Sequence, residues 1–287
     1  MTDENIIKDD DTTTILNNLS KYTFIAKYLG SIIRQRLNIV CFRYGALTAN
    51  LLENNDANLE RLNTILNFGE KRCENFRHIF SGRSLPKSPQ SADAQVVDIL
   101  SEVKAFEFLM DSGFCDIANV RRTSAKTVDF TANKEGLDYA IEVTRLGISI
   151  STEKQPVYNY AMSTLTFEEC ENASGFEVGI MFEGSNVERL IKEISDAIDR
   201  KFTQLREFIS RQKGYRKGLI FISSGRDYFV GRRYENKSYE MIPTSDFLSA
   251  LKEVWQFIIA EKRNRYLHHI VLTRGKDLRH AIICPVL

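Results

Sequence analysis

Apolar residues recur at helical spacing through the first part of the chain. Ile15, Leu16 and Leu19 begin this pattern, and similar groups follow over residues 13–80 without an intervening proline. Such spacing places apolar side chains on one face of a helix, so this segment predicts two or three helices. The preceding residues 1–12 are acidic and polar, which predicts a disordered tail.

A stretch rich in proline and serine separates this helical segment from the rest of the chain. Residues 81–93, SGRSLPKSPQSAD, contain two of the five prolines and form the predicted linker. After it, Ile99 and Phe106 mark the apolar stripe of an amphipathic helix over residues 94–112, and Gly113 ends that helix.

Short β-rich runs then alternate with helices to the end of the chain. The predicted strands cover residues 117–122, 127–131, 139–146, 176–182, 219–223, 270–273 and 281–286. The predicted helices cover residues 186–212 and 245–263. The turn-like segment ANKEGLD joins the second and third strands as a hairpin. Residues 94–287 therefore predict an α/β domain with a mixed β-sheet flanked by helices.

Composition is typical of a globular protein. The chain has 287 residues, 43% hydrophobic and 27% charged, which is too apolar for a disordered protein. Its five cysteines are scattered, a pattern that favours reduced thiols over a structural zinc site. The net charge of +1 does not by itself indicate a partner. Neither a signal peptide nor a run of roughly 18 apolar residues is present, so we expect a cytoplasmic protein without a membrane span.

Two acidic residues interrupt the apolar pattern of the predicted hairpin. In TVDFTANKEGLDYAIEVTR, Asp129 lies on the first strand and Glu142 on the second, while Ile141 and Val143 point to the opposite face. An unpaired buried carboxylate is costly, and a divalent cation would offset that cost. Mg²⁺ is commonly held by one or two carboxylates, with water and phosphate completing its shell. We therefore predict that Asp129 and Glu142 bind Mg²⁺ or Mn²⁺.

The helix before the hairpin offers a further carboxylate. Glu102 lies at one edge of its apolar stripe, and Glu107 lies at the opposite edge. Both edges border the face that packs on the sheet, so helical spacing alone leaves both residues open as part of the same site.

The order of these acidic residues resembles that of the PD-(D/E)XK nucleases, which carry Glu on a helix, Asp on a strand and Glu-x-Lys on the next strand. The segments here are SEVKAFEFLMDSGF, TVDF and IEVTR, and the resemblance covers about residues 95–150. It extends to Holliday-junction resolvases and implies a restriction-endonuclease-like fold. It also implies hydrolysis of phosphodiester bonds with metal bound by Asp129 and Glu142. In those relatives a Glu precedes the helix-ending glycine by about eleven residues, which favours Glu102 over Glu107 as the residue that holds a second ion or a water.

The lysine of the family motif is absent. Thr144 occupies its position, and Val128 replaces the motif proline. A threonine hydroxyl can hydrogen-bond a water or a phosphate but carries no positive charge. The resemblance allows the cation to come from elsewhere in the chain, with Lys126 and Lys154 as candidates. Arg145 is nearer, but strand alternation points it to the other face.

Basic residues that would contact nucleic acid flank the predicted site or lie in the arginine- and tyrosine-rich segment 223–240. They are Arg121, Arg122, Lys126, Arg232 and Arg233. Structural alternatives stay open, because such residues also suit solvated strand ends and the charged face of a hairpin. Asp129 equally suits an ordinary cross-strand ion pair.

Two functions are compatible with these observations. The first is a Mg²⁺-dependent nuclease with DNA as the expected substrate. The resemblance implies, in general terms, a role in restriction, repair or phage defence, and a homodimer would suit cleavage of both strands of a duplex. The second is a catalytically silent protein of the same fold that binds nucleic acid or a protein partner, and the absent motif lysine is its main support. Metal binding at Asp129 and Glu142 distinguishes the two.

Overall fold

A computed structural model defines the fold. It describes residues 9–39, 46–81, 83–87, 89–120, 127–146, 186–212, 216–223, 244–273 and 282–285. The predicted strand over residues 176–182 lies outside these ranges.

The N-terminal part of the chain is helical. Its helices are α1 (Asp9–Ser20), α2 (Thr23–Leu37), α3 (Ala46–Leu52) and α4 (Asp56–Arg72). Helix α1 begins inside the stretch predicted as a disordered tail, so the polar residues from Asp9 onward form its first turn. The Asn55 side chain caps α4 by accepting a hydrogen bond from the backbone N–H of Asn58, which satisfies one of the free donors at that helix end.

A mixed β-sheet follows this segment. Its strands are β1 (Cys73–Glu74), β2 (Cys115–Asn119), β3 (Phe130–Lys134), β4 (Leu137–Arg145), β5 (Lys217–Ser223), β6 (His269–Leu272) and β7 (Ile282–Pro285). The order in the sheet is the order in the chain. Strands β2 to β4 are antiparallel, β4 to β6 are parallel, and β7 is antiparallel to β6. The predicted α/β class with a mixed sheet flanked by helices is thus confirmed.

Helices cover both faces of this sheet. The later helices are α5 (Pro89–Asp111), α6 (Asn186–Arg211) and α7 (Thr244–Ala260). Helix α5 shares one apolar cluster with the N-terminal helices and with Ile141 and Val143 of β4. Helices α6 and α7 share a second cluster with Ala140 of β4. Because successive strand residues point to opposite faces, Glu142 faces α6.

The predicted linker is shorter than the sequence indicated. Helix α5 starts at Pro89, so residues 89–93 are helical. A proline fits the first turn of a helix because the backbone N–H it lacks has no partner there. Within residues 83–87, the backbone N–H of Leu85 donates to the Gln35 side chain at 3.0 Å, which holds this segment against α2.

The turn between β3 and β4 sets the register of the hairpin. Glu135 and Gly136 have φ angles of 54° and 75°, the left-handed values that a two-residue hairpin turn requires. The Asn133 side chain also accepts a hydrogen bond from the backbone N–H of Gly136 at 3.1 Å. This turn pairs Phe130 with Ile141 and thereby fixes which residues meet at the far end of the hairpin.

None of the helices in the described part of the chain combines the length and the apolar character that a membrane span needs.

Candidate active site

The hairpin brings Asp129 and Glu142 together. Asp129 lies one residue before β3, so the pairing of Phe130 with Ile141 places it opposite Glu142. Its backbone N–H donates to the carbonyl of Ile141 at 3.1 Å, and its Oδ2 accepts from the backbone N–H of Val143 at 2.8 Å. Both carboxylates are buried, with Asp129 5% exposed and Glu142 0% exposed.

Lys201 of α6 joins these two carboxylates. Its Nζ lies 3.1 Å from Asp129 Oδ2 and 2.8 Å from Glu142 Oε2. The lysine side chain is only 21% exposed, so most of its length is buried against the sheet. One ammonium group therefore bridges the two carboxylates that the sequence predicted as metal ligands.

Burial controls the protonation of this group. The pKa of Glu142 is raised to about 9, first by desolvation and second by the negative charge of Asp129, and the nearby Lys201 offsets only part of this rise. For Lys201, burial lowers the pKa, but the two carboxylates outweigh it and the pKa is raised. Near neutral pH, without a metal ion, Lys201 is therefore charged and Glu142 holds a proton.

A cavity of about 420 Å³ lies beside these residues. It is lined by Arg83, Asp98, Ser101, Glu102, Val143, Thr144, Arg145, Arg200 and Lys201. Thr144, at the motif lysine position, is half-buried in this wall. The cavity thus joins α5, the end of β4, α6 and the segment 83–87, and Lys201 links it to the buried carboxylates.

Glu102 and Glu107 have different surroundings. Glu102 lines the cavity, is buried and forms an ion pair with Arg83. Glu107 accepts hydrogen bonds from Arg61 of α4 at 3.0 and 2.8 Å and lies 3.6 Å from the buried Lys104. It therefore belongs to the contact between α5 and the N-terminal helices. The structure brings Glu102, and not Glu107, to the wall of the cavity that Lys201 also lines.

The arginines of the cavity are held by neighbouring residues. Arg145 Nε lies 2.6 Å from Asp98 of α5, as expected for a side chain that points to the α5 face. Arg200 of α6 donates to the backbone carbonyl of Arg145 at 3.0 Å. Arg145 therefore pairs with a carboxylate of α5, on the opposite face of β4 from Asp129.

The remaining predicted site residues lie outside the described ranges. They are Arg121, Arg122, Lys126, Arg232 and Arg233, together with the alternative cation Lys154. Their contribution to metal or nucleic-acid binding stays a prediction.

Three basic residues of the site are absent from the predictions made on the sequence. Arg83 lies in the predicted linker, and Arg200 and Lys201 lie in the helix predicted over residues 186–212. A signal for Lys201 exists in the sequence, because it lies three residues after Ile198 and four before Leu205, which places it on the apolar stripe of α6. A lysine on the buried face of a helix needs a partner charge.

The residues at this site fit a divalent metal ion. Glu142 Oε1 is buried and has no hydrogen-bond partner among the described residues, so a buried oxygen acceptor is available. No group of three or more His, Cys, Asp or Glu that could hold a metal occurs in the described part of the chain. Two carboxylates suit Mg²⁺, which often takes one or two from the protein and the rest of its ligands from water and substrate phosphate.

Comparison with known proteins adds no relative to these findings: no protein-family model, no curated protein and no solved structure matches the chain. The restriction-endonuclease-like fold therefore stays an expectation from the order of the motif residues.

Proposed function

We propose that this protein is a metal-dependent nuclease that hydrolyses phosphodiester bonds of nucleic acid, with DNA as the expected substrate and a restriction-endonuclease-like fold. One observation carries the proposal: Asp129 and Glu142 are buried side by side, share Lys201, and adjoin a cavity lined by arginines. Burying two carboxylates together is costly, and structural stability alone does not require it.

Asp129 and Glu142 would hold the metal ion. When bound, such an ion polarises a phosphoryl oxygen and lowers the pKa of a bound water. The hydrogen bond from the Val143 N–H fixes one carboxylate oxygen of Asp129, and the buried Glu142 Oε1 is an oxygen without a hydrogen-bond partner among the described residues. The backbone hydrogen bond from Asp129 to Ile141 and the pairing of β3 with β4 keep the two carboxylates rigidly positioned.

Lys201 supplies the positive charge that Thr144 lacks. Its ammonium group comes from α6 instead of β4, yet it lies within hydrogen-bond distance of both carboxylates. In this position it can orient an attacking water or stabilise negative charge that develops on the phosphate. Thr144 can donate a hydrogen bond within the same cavity. Glu102 was predicted to hold a second ion or a water. Its ion pair with Arg83 fits better a role in which Glu102 positions the Arg83 guanidinium.

The first test is incubation of the protein with labelled single- and double-stranded DNA and RNA, in Mg²⁺, in Mn²⁺ and in EDTA. Asp129→Asn and Glu142→Gln should each lower cleavage by about a hundredfold or more. Asp138→Asn is the matched control, because Asp138 lies on the same hairpin but is exposed. Circular dichroism establishes that each variant is folded. Cleavage that persists in EDTA or in the Asp129 variant would refute the assignment.

A catalytically silent scaffold is the second candidate, and one observation favours it. Lys201 already pairs with both carboxylates, so the cluster has a counter-charge without any metal ion. Titration calorimetry with Mn²⁺ separates the two functions. A nuclease binds Mn²⁺ through Asp129 and Glu142. A silent scaffold shows neither Mn²⁺ binding nor cleavage of any nucleic acid in the panel.

A further inference from the structure

We propose that Arg83, Arg145 and Arg200 form a subsite for a backbone phosphate of the nucleic-acid strand, next to the phosphate that reacts at Asp129 and Glu142. This inference rests on the proposed nuclease function and names the part of the site that holds the substrate.

The three arginines converge from separate parts of the fold. Arg83 comes from the segment between the N-terminal helices and α5, Arg145 from the end of β4, and Arg200 from α6, and all three line the same cavity of about 420 Å³. The three arginines are far apart in sequence but line one cavity, whereas arginines scattered over a solvated surface would not converge in this way. A cavity of this size lies in the usual range of ligand sites, about 300 to 1,000 Å³.

Each guanidinium is held in place by a contact that leaves other N–H donors available. Arg83 pairs with the buried Glu102, Arg145 with Asp98, and Arg200 with the backbone carbonyl of Arg145. A guanidinium has several N–H donors in a planar fork, and one acceptor occupies only part of that fork. Such pre-oriented forks match the oxygens of a phosphate.

The charge of the cavity favours an anion. Four cationic side chains line it, together with the carboxylates of Asp98 and Glu102. One of the four cations, Lys201, pairs with Asp129 and Glu142. Arg83, Arg145 and Arg200 then exceed their partners Glu102 and Asp98 by one charge. The lining residues do not include Asp129 or Glu142, which contact the cavity wall through Lys201. We therefore assign to the arginines a phosphate other than the one at the carboxylates.

A ligand that reaches both centres carries successive phosphates, which describes a nucleic-acid strand. Contacts to phosphate position a strand without reading its sequence. We therefore expect this subsite to contribute to binding equally on oligonucleotides of different sequence, and to do so without metal.

The test measures binding of a fluorescein-labelled single-stranded oligonucleotide by fluorescence anisotropy in EDTA, from about 50 to 200 mM salt. Arg200→Gln is the main variant, because Arg200 is exposed and its loss leaves the core intact. The slope of log Kd against log salt should fall by about one, with Kd raised several-fold. Arg211→Gln is the matched control: Arg211 lies on the same helix, is exposed and pairs with Glu207 away from the cavity. It should leave the slope unchanged.

Arg83 needs a compensated variant, since Arg83→Gln removes a positive charge beside the buried Glu102. The double variant Arg83→Gln, Glu102→Gln keeps the buried pair neutral and should weaken oligonucleotide binding as Arg200→Gln does. Asp129→Asn should keep the wild-type salt slope while losing cleavage, so failure of the subsite and failure of the nuclease function are separately visible.

Three results would overturn the subsite. The first is a salt slope that Arg200→Gln leaves at the wild-type value. The second is binding of inorganic phosphate or a nucleoside monophosphate with no binding of the oligonucleotide, which would assign the arginines to a small anion. The third is no binding of any of these probes in folded protein.

Discussion

Replacing Lys201 by Met removes an ammonium group that contacts both buried carboxylates while it keeps the length of the side chain. The Nζ lies 3.1 Å from Asp129 and 2.8 Å from Glu142. At about 3 Å and an effective dielectric constant of about 20, each contact between full charges is worth about 5 kcal/mol before desolvation. Breaking a buried ion pair costs about 3–5 kcal/mol once desolvation is included.

The lower end of that range applies here. Glu142 has a pKa raised to about 9 by burial and by Asp129, so near neutral pH it holds a proton and the full ion pair is between Lys201 and Asp129. We expect Lys201→Met to lower the free energy of unfolding by about 3 kcal/mol in EDTA. For a chain of this size, that corresponds to a fall in Tm of roughly 6–12 °C.

Mn²⁺ should rescue this variant more than it stabilises the wild type. A bound divalent ion supplies the positive charge that Met lacks, and in the wild type it must compete with the Lys201 ammonium for the same two carboxylates. Thermal denaturation in EDTA and in Mn²⁺ measures the difference, and titration calorimetry should show tighter Mn²⁺ binding by Lys201→Met. Cleavage should nevertheless fall by about a hundredfold, because the charge that assists the reaction is gone.

Lys192→Met is the matched control, since Lys192 lies on the same helix and is exposed. If Lys201→Met is as stable as this control in EDTA, Lys201 does not stabilise the buried carboxylates. If Mn²⁺ raises the Tm of wild type and Lys201→Met by the same amount, Lys201 and the ion do not share the carboxylates.

Three further predictions concern pH and stability. Glu142 keeps its proton up to about pH 9 in the folded chain but loses it near 4.5 when unfolded, so the native state binds more protons in that window. The metal-free protein should therefore lose stability as pH rises, by at most about 1.4 kcal/mol per pH unit, and Glu142→Gln should flatten this dependence in urea denaturation. Glu107→Gln should cost about 3 kcal/mol in the same assay, because it removes the carboxylate that contacts Arg61 and the buried Lys104. Gly218→Ala should lower Tm by several degrees, since a Cβ there would lie 1.9 Å from the carbonyl oxygen of Tyr266.

Each of these predictions has a result that contradicts it. A wild-type pH dependence in Glu142→Gln would show that another group titrates in that window. The Glu107 prediction needs Glu70→Gln for comparison, an exposed carboxylate paired with Lys27, which should change stability far less. An unchanged Tm in Gly218→Ala would mean that β5 shifts without cost at its contact with Tyr266.

Local patterns were enough to predict the hairpin that carries the two carboxylates. Alternation of apolar and acidic residues indicated which faces Asp129 and Glu142 share, and the glycine-containing segment between them indicated a turn. The structure places a two-residue turn at Glu135 and Gly136, which pairs the strands so that the two acids face each other. Helix α5 was likewise predicted from its apolar stripe, though its first turn extends into the proposed linker.

Only the tertiary structure identifies Lys201 as a cation that contacts the two carboxylates. Lys126 and Lys154 were predicted because they are near in sequence, whereas Lys201 lies 72 residues from Asp129 and reaches it only because α6 packs across β4. Its place on the apolar stripe of α6 indicates a buried lysine but does not name the partner. In the same way, Arg83 reaches Glu102 only because the segment after the N-terminal helices runs beside α5.

The sequence by itself therefore determined the features that depend on neighbouring residues: helix stripes, strand alternation and the turn that sets the hairpin register. The tertiary structure alone decided which charges meet. Electrostatic pairing depends on distance in space, and that distance follows from how helices pack on the sheet, not from spacing along the chain. The buried group of Asp129, Glu142 and Lys201 depends on both kinds of information. The hairpin brings the two acidic residues together, and the packing of α6 on the sheet adds the lysine.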